Sequence, residues 1–77
     1  MNLDWRKRIT LDPETLAGKP VIKGTRISVE FLLELLADGW THEEILENYP
    51  QLEKEDIQSA LRYATDILKD EVVYQYP

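Results

Sequence analysis

Apolar positions in this chain change period along its length. Val29, Leu32, Leu33 and Leu36 recur at i, i+3, i+4 and i+7, one face of a 3.6-residue period, with Phe31 and Leu35 on a second edge. That predicts a first helix entered through Ser28 as N-cap and stopped by Gly39, after which Trp40 returns to the core. Thr41-His42-Glu43-Glu44 reads as a capping box opening a second, short helix, with Ile45, Leu46 and Tyr49 inward and Pro50 as terminator. Leu52 anchors the following turn. A third helix starts near Glu53-Lys54-Glu55-Asp56, whose acids suit the positive end of a helix dipole. Its predicted inner stripe is Ile57, Ala60, Leu61, Ala64 and Leu68, flanked by Tyr63 and Ile67.

Before residue 28 the period shortens. Ile9 and Leu11 alternate with polar neighbours, as in a half-buried strand over Arg8–Asp12, and Ile22–Ile27 reads as a second extended piece. Glu14–Ala17 is predicted as a single helical turn, and tight turns are expected at Gly18-Lys19 and Lys23-Gly24. Gly18, four residues, then Lys23-Gly24-Thr25 is not a phosphate-cradling loop, because the lysine stands before the glycine. The prediction is a mainly α fold: a three-helix, homeodomain-like (helix-turn-helix) bundle behind a short N-terminal β hairpin. It forms one domain, with a basic arm and hairpin over 1–27, the bundle over 28–71 and a β-prone apolar tail over 72–77.

Seventy-seven residues without cysteine leave no disulfide to reinforce so small a core, and a homodimer is the expected remedy. Phe31, Leu35, Trp40 and Tyr63 are the predicted interface. No apolar run approaches membrane-spanning length and no secretory leader is present, so a cytoplasmic protein is expected. The net charge of −6 is unevenly placed. Residues 1–27 carry six Lys and Arg against three carboxylates, whereas residues 28–77 carry three against twelve. Only the first part has the sign for phosphate, and the second suits a basic partner.

The run Gly18-Lys19-Pro20-Val21-Ile22-Lys23-Gly24-Thr25-Arg26-Ile27, then the leucine-rich helix, Gly39, the Thr-x-Glu-Glu-Ile cap, Tyr49-Pro50 and Glu55-Asp56-Ile57, resembles the prokaryotic family called domain of unknown function four-three-three. The resemblance runs from about Arg8 to about Ala64. It implies a homeodomain-like three-helix domain with an N-terminal hairpin, in a family commonly read as antitoxins paired with a PIN-like ribonuclease toxin. Ser28 stands where the family usually has proline and Glu53 where it usually has threonine, both at helix starts.

Residue chemistry does not point to catalysis. His42 lacks the second histidine of a zinc-binding helix, Ser28 and Ser59 have no histidine as base, and no metal or cofactor is expected. The leading expectation is a protein-binding antitoxin, contacting its toxin through Asp66, Asp70, Glu71, Tyr74 and Tyr76. The alternatives are a DNA-binding autorepressor using Arg6, Lys7, Arg8, Lys19, Lys23 and Arg26, and a dimeric scaffold domain.

Overall fold

The turns around the glycine-rich stretch set the architecture. In the computed structural model, which describes residues 4–70 (the side chain of Asp70 excepted), Gly18 and Gly24 take φ of +82° and +80°. These angles are open to glycine at little cost. Strand β1 (Ile9–Thr10) pairs antiparallel with β2 (Val21–Ile22), Ile9 opposite Ile22 and Thr10 opposite Val21. The second extended piece ends earlier than its apolar pattern suggests. The Thr25 hydroxyl donates to Ile22 O at 2.8 Å and accepts from the Ile27 amide at 2.9 Å. This side-chain turn folds the chain back at Gly24, so that Val21 also bridges Ser28.

The helical turn expected at Glu14–Ala17 is displaced and reversed in hand. Leu16–Gly18 forms a 3-10 turn in which Leu16, Ala17 and Gly18 all have positive φ (51°, 57° and 82°).

The three helices follow their caps. Helix α1 (Val29–Ala37) begins with the Phe31 amide donating to Ser28 Oγ at 2.9 Å. It ends where Gly39 adopts φ +97° and the Trp40 amide donates to Leu35 O at 3.0 Å. Helix α2 (His42–Asn48) carries the reciprocal box, Glu44 N to Thr41 Oγ1 at 3.1 Å and Thr41 N to Glu44 Oε1 at 2.8 Å. Helix α3 (Lys54–Asp70) follows the turn around Leu52. In the core, Ile9 and Ile22 of the sheet meet Leu32, Ile45, Ile57 and Ala60 from the three helices. Burying aliphatic side chains of this size contributes roughly 1.5–3 kcal/mol each.

The inner stripe of α3 differs from its prediction. Asp56, Ile57, Ser59 and Ala60 are buried, whereas Leu61 and Leu68 are 40% and 69% exposed. Leu61, one 100° step round the helix from the buried Ala60, stands outside the buried arc, and at Leu68 helix length adds to its exposure. At 1.5 Å per residue α3 runs about 26 Å and α1 about 14 Å, so the last turns of α3 project past the elements that cover its first half. Leu35, predicted at a dimer interface, belongs to the chain's own core at 8% exposure.

Candidate functional site

Much of the basic arm is held on α3. A 3-10 turn over Trp5–Lys7 is capped by Asp4, whose Oδ1 accepts the Arg6 amide at 3.0 Å. The Trp5 indole donates from Nε1 to Asp66 Oδ2 at 2.9 Å, and its ring meets Tyr63 edge-on at 4.7 Å. The Arg6 guanidinium lies over the same indole, 4.7 Å from the ring centre, and 3.7 Å from Asp4. Arg8 Nη1 donates to Glu53 Oε1 and to Asp56 Oδ1, each at 3.0 Å. Asp56 also accepts the Glu53 amide at 2.8 Å, so one largely buried carboxylate caps α3 and grips the arm. The hydrogen bonds to Glu53 and then Asp56 hold the Arg8 guanidinium above its already high ordinary pKa, against a smaller loss from desolvation.

The six predicted phosphate-contacting cations are therefore not equivalent. Arg8 is engaged by two carboxylates, Arg6 lies beside Asp4, and Lys19 Nζ reaches Glu30 Oε1 at 3.2 Å. Lys7, Lys23 and Arg26 form no ion pair with the described residues. Lys7 and Lys23 line an open recess of about 410 Å³ with Arg8, Gln51, Glu53 and Asp56, where opposite charges nearly balance.

Among the predicted partner-binding residues, Asp66 is taken by Trp5. The Asp70 side chain, Glu71, Tyr74, Tyr76 and the tail as a whole lie outside the described residues. Of the predicted dimer set, Phe31 is half-buried edge-on to Tyr49 at 5.6 Å, and Trp40 is half-buried against the core. Tyr63 has a double role, touching Trp5 and lining an apolar groove.

That groove was not anticipated from the sequence. It is open, has a volume of about 430 Å³, and lies between Pro20, Val29 and Leu33 on one side and Tyr63, Ala64, Ile67 and Leu68 on the other, with Glu30 also lining it. The signal available beforehand was the mismatch in helix length: a stripe long enough for 17 residues of α3 facing only nine of α1. Among the described residues no three of His, Cys, Asp and Glu gather as metal ligands, and no helix is long and apolar enough to cross a membrane. His42 is exposed in the first turn of α2.

Comparison with known proteins agrees with the three-helix fold. The family described as Protein of unknown function (DUF433) matches residues 9–64. An uncharacterized protein, y4eO, of Sinorhizobium fredii (strain NBRC 101917 / NGR234) is 39% identical over 59 residues, which cover 77% of this chain and 27% of that protein. The crystal structure of a DUF433 member protein from Anabaena variabilis ATCC 29413 superposes with a TM-score of 0.76 at 32% identity. That alignment covers 82% of this chain and 62% of the other. This chain thus spans about a quarter of the curated relative and under two thirds of the solved one.

Proposed function

Since the chain belongs to the DUF433 family, whose function is unknown, we propose from its surfaces that it is a non-catalytic protein-binding module, and from the resemblance noted in its sequence that it is an antitoxin whose partner is a PIN-like ribonuclease toxin. The observation that carries this reading is the open apolar groove between α1 and α3, lined by Leu33, Ala64, Ile67 and Leu68. Contiguous apolar surface of this kind on a small domain marks an interaction site. The acidic body adds to the argument: a nuclease that handles RNA presents a basic surface, and complementary potentials speed association and favour that partner. Co-expression with the product of the neighbouring gene is the test. A complex that survives size-exclusion chromatography and relieves growth arrest is expected. No complex, with toxicity unrelieved, refutes the proposal.

DNA binding as an autorepressor is the second reading, favoured by Lys7 and Lys23 sharing a recess beside the start of α3. Against it stand Glu53, Glu55 and Asp56 at that same helix end, which repel a phosphate backbone. Replacing Lys7, Lys23 and Arg26 by alanine is expected to lower the salt dependence of binding to the operon's promoter. An unchanged salt slope removes these residues from the account.

A further inference from the structure

A second recess, of about 300 Å³, opens at the corner between α1 and α2 and is lined by Asp38, Gly39, Trp40, Glu44 and Asn48. Its side chains offer more acceptors than donors. The exposed Asp38 carboxylate forms neither a hydrogen bond nor an ion pair among the described residues. Glu44 accepts the Thr41 amide through Oε1 at 2.8 Å, which leaves Oε2 open, and Asn48 donates from Nδ2 to Glu44 O at 2.9 Å, which leaves Oδ1 open. Asp38 also closes α1, whose last turn holds no basic residue, so the negative end of that helix lies at the same corner. Nothing nearby in the chain neutralises it: residues 27–53 contain seven Asp and Glu and no Lys or Arg. Lys19 reaches Glu30, at the other end of α1.

We infer that this recess receives an arginine side chain of the partner protein, its guanidinium between the carboxylates of Asp38 and Glu44 and against the Trp40 indole. The inference rests on the protein-binding reading and specifies one anchor of the partner. Two acids without a cation select a positive charge. The half-buried indole then separates the two basic side chains, because a planar, weakly hydrated guanidinium lies on an aromatic ring more readily than an ammonium does. A metal ion finds too few ligands: one Glu44 oxygen is held by the Thr41 amide, and among the described residues no three metal-ligating groups gather. A free small molecule would keep much of its surface in water, since Asp38, Glu44 and Asn48 are all exposed. A side chain carried by a larger interface does not depend on the recess alone, and arginine is among the residues that most often anchor such interfaces.

The experiment titrates the full-length, nitrogen-15-labelled chain with three blocked amino acids: the acetylated amides of arginine, of lysine and of the uncharged arginine analogue citrulline. The arginine probe is expected to move the Trp40 indole N–H, the Gly39 amide and the Asn48 side-chain amide together, while the Trp5 indole stays in place. It should bind about threefold tighter than the lysine probe, and the citrulline probe should leave these resonances where they are. The double variant Asp38→Asn with Glu44→Gln removes both charges but keeps the oxygen that caps α2, so its circular dichroism should match the parent. In that variant the affinity for the arginine probe should fall about fivefold, as the loss of two exposed ion pairs implies. No shift, equal shifts from all three probes, shifts centred elsewhere, or an undiminished affinity in the double variant overturns the inference. So do Trp40 and Gly39 resonances that move with protein concentration alone, the mark of an arginine from a second copy. A toxin complex that tolerates the double variant refutes the recess as its anchor and leaves the antitoxin reading standing. Arginine selectivity at the recess without any toxin complex keeps the arginine site and refutes the antitoxin reading.

Discussion

Replacing Arg8 by alanine tests the view that the arm is part of the fold. The guanidinium makes two charge-assisted hydrogen bonds, to a Glu53 side chain that is 66% exposed and an Asp56 side chain that is 8% exposed. The Glu53 bond is open to water and contributes at most about 0.5 kcal/mol. The Asp56 bond matters more, since its loss leaves a mostly buried carboxylate with the Glu53 amide as its remaining partner. A hydrogen bond to a charged group is worth about 1.5–3 kcal/mol, and water entering the vacated space offsets part of that. The expected destabilisation is about 2 kcal/mol. For a domain of this size each kcal/mol moves Tm by roughly 4–8 °C, so the variant should melt about 8–16 °C lower. A double-mutant cycle in urea separates the two bonds: coupling to Asp56→Asn of about 1.5 kcal/mol, to Glu53→Gln below about 0.5 kcal/mol. The guanidinium pKa is raised on folding, so its contribution is complete below the unfolded value and fades only as pH climbs through the folded one. The Arg8 deficit should therefore not diminish through loss of the guanidinium charge between about pH 6 and 10. A variant within about 0.5 kcal/mol of the parent, or equal coupling to both acids, refutes the reasoning.

Three further substitutions probe local features. Ser59 Oγ is buried with no hydrogen-bond partner among the described residues, so Ser59→Ala removes a desolvated hydroxyl and should raise stability by about 0.5–1 kcal/mol in thermal melts. Ala17→Gly relieves a left-handed residue at an exposed position, and a gain of about 0.5–1 kcal/mol is expected by the same measurement, after the added unfolded-state entropy of glycine is subtracted. Trp5→Phe keeps a ring against Tyr63 but loses the donor to Asp66. A loss of about 1 kcal/mol should appear in chemical denaturation, and Asp66→Asn in the same background should add little.

What could be read beforehand was local. The Ser28 cap, the Gly39 stop and the Thr41–Glu44 box each depend on atoms within about one helical turn, so residue type and spacing suffice to place them. The turns at Gly18 and Gly24 were legible for the same reason. The contacts that define the candidate surfaces were not local. Arg8 meets Glu53 and Asp56 across 45 and 48 positions, and Trp5 meets Asp66 across 61. Nothing in the first turn of α3 distinguishes acids that favour a helix dipole from acids that bind an arginine. Periodicity likewise identified α3 as amphipathic, but not which part of it the start of α1 would lie beside. That placement leaves Leu68 exposed and opens a groove between Leu33 and Ile67.

The indole–carboxylate bond between Trp5 and Asp66 makes a closed circuit of nearly the whole described chain. Closing a circuit this long is entropically little harder than closing one of half the size, because the penalty grows only with the logarithm of its length. Its vulnerability lies at the clasp. Pulling from the amino end should release the tryptophan first and the arginine next, before any helix unravels, so an amino-terminal fusion that strains the first few residues loosens the domain more than its distance from the core suggests.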